Sequence, residues 1–157
     1  MTDSPPVISS EAPIRGSNRI LFLLIAVFAL AGVFVSAVSL QRHYAQSATQ
    51  FCDFNKKFSC DIVNRSEYSS IIGIPVAGIG VAGYGLLLML ATYLRARTAT
   101  PNRLLGTALA GLVFALYLTY VEGYVLETWC ILCLISLVLI SVISLLAVAI
   151  KLRGARV

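Results

Sequence analysis

The sequence predicts an all-α membrane protein, a bundle of four transmembrane helices. Of its 157 residues, 59% are hydrophobic and only 12% are charged, whereas a soluble domain averages about 25% charged residues. So large an apolar fraction exceeds what the core of a small soluble domain can bury, and a lipid bilayer is therefore the expected solvent. Four long runs with almost no charge divide the chain, and each approaches or exceeds the roughly 20 residues that a membrane-spanning helix needs.

The first helix is predicted over residues 20–40, which carry no charge. A secretory signal peptide is the alternative, but its apolar region spans only about 7–15 residues, so a retained helix is expected. Residues 1–19 are rich in serine, proline and charge. They are predicted to form a disordered cytoplasmic tail.

The other three helices are predicted at about 71–94, 104–126 and 129–150. Pro75 is placed in the first turns of the second helix, where a proline is tolerated. That helix is also rich in glycine, which lets membrane helices approach closely. The predicted membrane domain therefore extends over residues 20–151.

The distribution of lysine and arginine predicts the topology. Most of these residues lie in the N-terminal tail, in the turn at 95–103 and at the C-terminus, which the helix count places on one side. Both termini, including the tail at 152–157, should therefore be cytoplasmic, and the loop 41–70 should face the periplasm or an equivalent oxidising space. The net charge of +5 is then a topology signal rather than a sign of nucleic-acid binding.

All four cysteines lie at this same predicted surface. Cys52 and Cys60 are in the loop, and Cys130 and Cys133 are at the start of the fourth helix. An even number of cysteines suits two disulfides or one four-thiolate metal site. Disulfides persist in an oxidising compartment, so two cysteine pairs without a metal are preferred over a zinc site held by all four cysteines.

Cys130 and Cys133 form a C-x-x-C motif, which puts both sulfur atoms on one face of a helical turn. The partial positive charge at a helix N-terminus stabilises a thiolate. Cys130 is predicted at the water-filled mouth, and Cys133 about 4–5 Å deeper at 1.5 Å per residue. Cys133 would then meet a hydrophobic oxidant, for which a quinone is the best candidate. A structural disulfide is the alternative; haem attachment would need histidine where Leu134 stands.

The loop pair lies in a segment with an apolar face. Phe51, Phe54 and Phe58 recur at i, i+3 and i+7, as in a short helix that lies on the membrane surface. Such a helix would lower Cys52 and Cys60 toward the C-x-x-C motif, although ordinary interface anchors explain the aromatics equally well. Disulfide exchange requires one thiolate to reach a sulfur of the other pair, and a loop pair between an external protein and a buried pair meets that need.

These residues resemble the vitamin K epoxide reductase family, in its bacterial disulfide-forming type without a fused thioredoxin domain. Ser66 follows the loop pair by six residues, G-I-P-V-A at 73–77 leads to Tyr84, and Y-V-E…W-C-I-L-C spans 120–133. The resemblance covers the chain from the first helix to the end of the fourth.

The resemblance implies a membrane thiol–quinone oxidoreductase that uses ubiquinone or menaquinone and supports disulfide bond formation. Cys133 would face the quinone ring, Cys130 would exchange with Cys60, and Cys52 would meet the external partner. Ser66 would lie near the quinone or orient the loop. Because the chain ends soon after the fourth helix, the implied partner is a separate DsbA-like thioredoxin-fold protein, re-oxidised at the periplasmic face of the cell inner membrane.

Two positions depart from the vertebrate members, which use an asparagine in the second helix and a tyrosine in the fourth to hydrogen-bond vitamin K. The corresponding residues are Val76 and Leu137, whose side chains donate no hydrogen bond. Re-oxidation by a quinone is therefore expected rather than reduction of the epoxide. The candidate quinone-binding residues are Cys133, Ser66, Val76, Tyr84, Tyr120, Tyr124 and Leu137.

Two features of the third helix have alternative interpretations. Tyr120 and Tyr124, with Tyr117, form a helical stripe that lines a quinone pocket or belongs to the aromatic belt at the membrane surface. Glu122 is the only acid within an apolar run, and such acids are functional candidates, but its place near the end of the helix favours an interfacial side chain that reaches water. His43, beside the first helix, is expected to be solvated.

Two other functions fit parts of the pattern. A DsbB-type quinone reductase also has four helices and two periplasmic cysteine pairs, but its C-x-x-C motif belongs to the first loop, the reverse of the order here. A non-catalytic membrane scaffold with two structural disulfides would have cysteines that resist mild reductants and no activity with any quinone.

Overall fold

The computed structural model describes residues 12–44, 70–71, 73–93 and 100–154. These residues form four helices and one very short antiparallel hairpin, which confirms the predicted all-α class. In chain order the elements are α1 (Ala12–Tyr44), β1 (Ser70–Ile71), β2 (Ile74–Pro75), α2 (Val76–Thr92), α3 (Thr100–Tyr124) and α4 (Ile131–Gly154).

Three of the helices are long and apolar enough to cross a membrane. The candidate spans are Arg19–Tyr44 in α1, Thr100–Tyr124 in α3 and Ile131–Arg153 in α4. Helix α2 is also apolar but has only 17 residues, or roughly 25 Å at 1.5 Å per residue. The chain is thus a multi-pass membrane protein in which one helix of the bundle is shorter than the others.

The start of α2 differs from the sequence prediction. Residues expected in its first turn instead form the hairpin, in which Ser70 pairs with Pro75 and Ile71 with Ile74. Gly73 adopts a φ of 78°, a left-handed conformation that glycine reaches without steric cost. Pro75 precedes the helix with φ −63° and ψ 132°, so its predicted place within the first turns is wrong. The glycine turn reverses the chain before the helix can begin.

The remaining helices extend past the apolar runs that predicted them. Helix α1 begins at Ala12, so residues 12–19 are helical and not part of a disordered tail. Helix α3 begins at Thr100, and α4 continues to Gly154. The apolar run marks only the part of a helix inside the hydrocarbon layer, and backbone hydrogen bonding continues beyond it.

Buried side chains from all four helices form one core. Helix α1 packs most extensively on α2 and then on α4, while α3 packs mainly on α4. The central members from α1 and α2 are Ile25, Ala29, Tyr84 and Leu87, and those from α3 and α4 are Leu104, Ala108, Ile143 and Ala147.

Small residues set the spacing between α1 and α2. A Cβ atom added to Gly32 would overlap Cδ1 of Tyr84, and one added to Gly80 would lie 2.8 Å from Oγ of Ser36. Both contacts are closer than real carbon contacts allow. The close approach of the two helices therefore depends on glycine at positions 32 and 80, as is common in membrane bundles.

The outer surface is apolar, the reverse of a soluble helical bundle. Val27, Phe34, Val113, Val138 and Leu145 are each more than 60% exposed. Isolated exposed apolar residues are ordinary on soluble proteins, but here they occur along three helices that can span a membrane. These side chains are suited to contact lipid chains.

Replacement of Gly32 by alanine tests the close packing of α1 on α2. The new methyl group would overlap the Tyr84 ring, and overpacking of this kind costs about 1–3 kcal/mol. We expect a lower thermal unfolding midpoint in mild detergent, followed by far-ultraviolet circular dichroism. Gly106→Ala is the matched control, since a Cβ at Gly106 meets no atom within 4 Å. Equal midpoints for the two variants would contradict this account of the packing.

Candidate functional site

A cavity of about 360 Å³ lies between the four helices. Its lining comes from the C-terminal half of α1, the N-terminal part of α2, most of the length of α3 and the N-terminal part of α4. Most of the lining is apolar. Its volume is within the roughly 300–1,000 Å³ typical of small-molecule sites, which combine apolar walls with a few polar groups.

Each helix contributes polar groups to this cavity. They are Ser36, Ser39 and His43 from α1, Tyr84 from α2, Thr107 and Glu122 from α3, and Cys133 and Ser136 from α4. His43 is half-buried in the last turn of α1 and lines the cavity, so it is only partly exposed rather than fully solvated. The helix continues beyond the predicted end at residue 40 and keeps His43 on the face that already carries Ser36 and Ser39.

Tyr84 fixes α2 against α4 at the wall of the cavity. Its hydroxyl donates a hydrogen bond to the carbonyl oxygen of Ser136 at 2.8 Å. It also lies 2.9 Å from the Ser136 hydroxyl. Because Tyr84 is 5% exposed, its polar atom needs such partners.

The turn between α3 and α4 folds the chain tightly back on itself. The N–H groups of Val125 and Leu126 both donate to the carbonyl oxygen of Val121 at 3.0 Å, and the N–H group of Thr128 donates to that of Glu122 at 3.2 Å. Glu127 adopts a φ of 48°, which few residues other than glycine adopt. This turn brings the first residues of α4 against the last turns of α3.

The C-x-x-C motif begins α4. The carbonyl oxygen of Cys130 accepts a hydrogen bond from the N–H group of Leu134 at 3.0 Å, so Cys130 occupies the N-cap position and Cys133 is the third helical residue. Cys130 is fully buried and Cys133 is half-buried at the cavity. The predicted placement of Cys130 at a water-filled mouth is therefore wrong, because protein encloses its side chain completely.

Glu122 turns inward rather than toward water. It is only 2% exposed, and its Oε2 atom accepts a hydrogen bond from the N–H group of Cys130 at 3.1 Å. In a capping box the third helical residue supplies such a carboxylate to the N-cap N–H group. Here that residue is Cys133, and the carboxylate comes from the neighbouring helix. The expectation that Glu122 lies at the interface and reaches water is thus wrong, since the start of α4 offers its carboxylate a buried partner.

Glu122, Cys130 and Cys133 form what we call the thiol–carboxylate cluster. Their two sulfur atoms and a carboxylate oxygen all lie within 4.8 Å of one another. The Cys133 side chain interacts with the carboxylate, whose Oε1 atom is buried and has no hydrogen-bond partner among the described residues. The cluster brings together three possible metal ligands among the described residues, one fewer than a structural zinc site uses. The expectation that no metal is bound stays a prediction.

The other predicted quinone-binding residues divide into three groups. Val76 and Tyr84 line the cavity, but Leu137 is not among its lining residues. Tyr120 and Tyr124 are 59% and 77% exposed and stack on each other with ring centroids 4.8 Å apart. The structure therefore places both tyrosines outside the cavity, as expected for an aromatic belt.

Cys52, Cys60 and Ser66 lie outside the described residues. Their predicted roles in electron transfer and near the quinone stay predictions. The same holds for the apolar face formed by the three phenylalanines of that segment.

Several polar residues of the cavity were not predicted from the sequence. Ser36, Ser39 and His43 recur at i, i+3 and i+7, the spacing of one helical face, so a search for polar residues on this face would have found them. Ser136 follows Cys133 by three residues and shares its face of α4.

The chain matches the family model described as "Vitamin K epoxide reductase family" over residues 23–149. The matched range covers most of the chain. It includes the thiol–carboxylate cluster and the positions of the loop cysteines.

Removal of the Tyr84 hydroxyl tests the link between α2 and α4. Tyr84→Phe loses the hydrogen bonds to Ser136, and loss of a buried hydrogen bond costs about 0.5–1.5 kcal/mol. We expect a lower thermal midpoint in detergent than for the wild type. Tyr117→Phe, at a tyrosine that is 55% exposed, should leave the midpoint unchanged. Equal thermal midpoints for the two variants would contradict a stabilising role for the hydrogen bonds between Tyr84 and Ser136.

Proposed function

Because this chain belongs to the vitamin K epoxide reductase family, we propose that it is a thiol–quinone oxidoreductase that re-oxidises a periplasmic thioredoxin-fold protein. Membership of the family identifies it as a membrane thiol–disulfide oxidoreductase. The proposal adds two points to this activity: the electron acceptor is a quinone, and the protein partner is a thioredoxin-fold protein.

The position of Cys133 carries the argument for a quinone. Its half-buried side chain lines an apolar cavity that all four helices enclose, so an oxidant that reaches this sulfur must be soluble in hydrocarbon and small enough for about 360 Å³. The ring of a ubiquinone or menaquinone meets both conditions. The sparse polar groups, among them Tyr84 and Ser136, are available to its carbonyl oxygens.

The cysteine pair supplies what reduction of a quinone requires. A quinone accepts two electrons and two protons when it becomes the hydroquinone. The thiols of Cys130 and Cys133 give up the same number when they form one disulfide bond. Their sulfur atoms lie within 4.8 Å of each other, so a small movement of the side chains is enough to join them.

The loop pair would then reduce the new disulfide. In the proposed order Cys60 exchanges with Cys130, and Cys52 exchanges with a DsbA-like thioredoxin-fold protein. Each exchange forms one disulfide and breaks another, so no further oxidant is needed. The connectivity supports an exchange between the two pairs, since residues 45–69 join the end of α1 to β1, and both lie at the end of the bundle that holds the cysteine motif.

The proposed location is the inner membrane of a bacterial cell, with the cysteine motif facing the periplasm. The distribution of lysine and arginine supports this orientation. It would put the thiol–carboxylate cluster on the side where partner proteins acquire disulfides.

The lining of the cavity favours a quinone over vitamin K epoxide. Val76 contributes an apolar side chain to the wall, at the position where the vertebrate enzymes carry a hydrogen-bonding asparagine. Leu137, which corresponds to their tyrosine, is not part of the wall. Neither position can hold the oxygen of an epoxide by a side-chain hydrogen bond.

Replacement of Cys133 tests the proposed acceptor. We expect Cys133→Ala to abolish quinone reduction, because none of the described residues that line the cavity would then carry a sulfur atom. The measurement is stopped-flow absorbance of purified protein with short-chain ubiquinone and menaquinone and a dithiol donor. Ser141→Ala, on the same helix but outside the cavity lining, should keep the wild-type rate. A normal rate in Cys133→Ala would refute the proposed order, and a wild-type protein that reduces neither quinone would favour the scaffold.

A leucine at Gly83 tests the cavity as the quinone site. Gly83 lines the cavity and a Cβ there meets no atom within 4 Å, so a larger side chain would start in open space and occupy part of the cavity. We expect KM for the quinone to rise about tenfold, a change of about 1.4 kcal/mol. Gly85→Leu is the matched control, because Gly85 is equally open but is not part of the lining. An unchanged KM in Gly83→Leu would exclude this cavity.

A further inference from the structure

We propose that Glu122 is the proton acceptor of the cysteine pair, taking the thiol proton of Cys133 as the pair is oxidised and passing it to the electron acceptor. The inference rests on the proposed function only for the identity of that acceptor. A role for Glu122 in oxidation of the pair can be tested with any oxidant.

The position of the carboxylate is the first argument. One of its oxygen atoms and both sulfur atoms lie within 4.8 Å of one another, and the Cys133 side chain interacts with it. Glu122 also lines the cavity that Cys133 faces. A single group can therefore reach the thiol that loses a proton and the space where the electron acceptor would be reduced.

The two carboxylate oxygens have different surroundings, which is the second argument. Oε2 accepts the hydrogen bond from the N–H group of Cys130, and this bond holds the side chain in place. Oε1 is buried without a hydrogen-bond partner among the described residues. A buried polar atom left in this way costs free energy, and a site for a transient proton gives it a function.

Oxidation of the pair releases protons that need a carrier. Two thiols lose two electrons and two protons as the S–S bond forms, and the acceptor takes up both electrons and both protons. Cys130 is fully buried, and the half-buried Cys133 faces a mostly apolar cavity, so bulk water has limited access to the pair. Glu122 would accept the proton of Cys133, deliver it to an oxygen of the quinone, and then serve Cys130 in the same way.

Glu122→Gln separates this role from the structural one. The amide oxygen of glutamine can still accept the hydrogen bond from the N–H group of Cys130, but the amide cannot take up a proton. Glu122→Ala loses both properties. We therefore expect an unchanged thermal midpoint for Glu122→Gln and a lower one for Glu122→Ala, because loss of a cap costs about 1 kcal/mol.

The rate of pair oxidation is measured in a background with Cys52→Ser and Cys60→Ser, which isolates Cys130 and Cys133. Two oxidants are compared, a short-chain ubiquinone and the uncharged disulfide 4,4′-dithiodipyridine. With the disulfide, Cys133 attacks one sulfur and releases a thiol. Cys130 then displaces the second thiol, so two thiol protons are again transferred.

We expect Glu122→Gln to slow both oxidations about a hundredfold near neutral pH, within the range of general acid–base catalysis. Its rate should rise with pH, because solvent base must then remove the thiol proton, whereas the wild-type rate should depend much less on pH. Besides Glu122 and Cys133, the titratable groups among the described lining residues are His43 and Tyr84, and they are common to both proteins. The turn carries Glu127, which is exposed, and Glu127→Gln is the matched control with a wild-type rate.

The outcomes separate this inference from the proposed function. An equal or faster rate in Glu122→Gln with both oxidants would overturn the role of Glu122, because a carboxylate that acts only as a cap or a negative charge would not assist thiol ionisation. If the wild type reacts with the disulfide and not with ubiquinone or menaquinone, the proposed function fails. The rate of Glu122→Gln with the disulfide still decides the role of Glu122 in that case.

Discussion

The hydrogen bond from the N–H group of Cys130 to the Glu122 carboxylate is the interaction on which the site depends. The first N–H groups of a helix have no partner within it, and inside a bilayer water does not supply one. The α3–α4 turn meets this requirement by bringing a carboxylate from the preceding helix to the start of α4. The same bond fixes where Cys130 and Cys133 lie relative to the end of α3.

Burial of a carboxylate is costly unless it is hydrogen-bonded, and here only one of its two oxygens has a partner. The partial positive charge at the start of α4 offsets part of the cost. A glutamine would satisfy the N–H group of Cys130 without burying a charge. The presence of glutamate is therefore better explained by the neighbouring thiols than by the cap alone.

Composition and the four apolar runs were sufficient to predict the fold class, because the length of a membrane-crossing helix follows directly from the thickness of the hydrocarbon layer. The start of the fourth apolar run likewise located Cys130 and Cys133 at the beginning of a helix. The local geometry was harder to predict from the sequence. Pro75 lies outside α2 because a left-handed Gly73 reverses the chain just before it, and the apolar pattern is the same for a strand and a helix over so few residues. Position near a helix end did not show whether Glu122 faces water or a neighbouring N–H group, since that depends on the turn that follows.

The short α2 has a consequence for the membrane around it. Its 17 residues cover roughly 25 Å, about 5 Å less than a typical hydrocarbon layer. Such hydrophobic mismatch is relieved when the bilayer thins locally or when the end of the helix lies below the headgroups. In the second case the β1–β2 pairing supplies hydrogen bonds at a depth where exposed backbone is not tolerated. A change in bilayer thickness would then alter the position of this end of the bundle, where α2 lines the cavity.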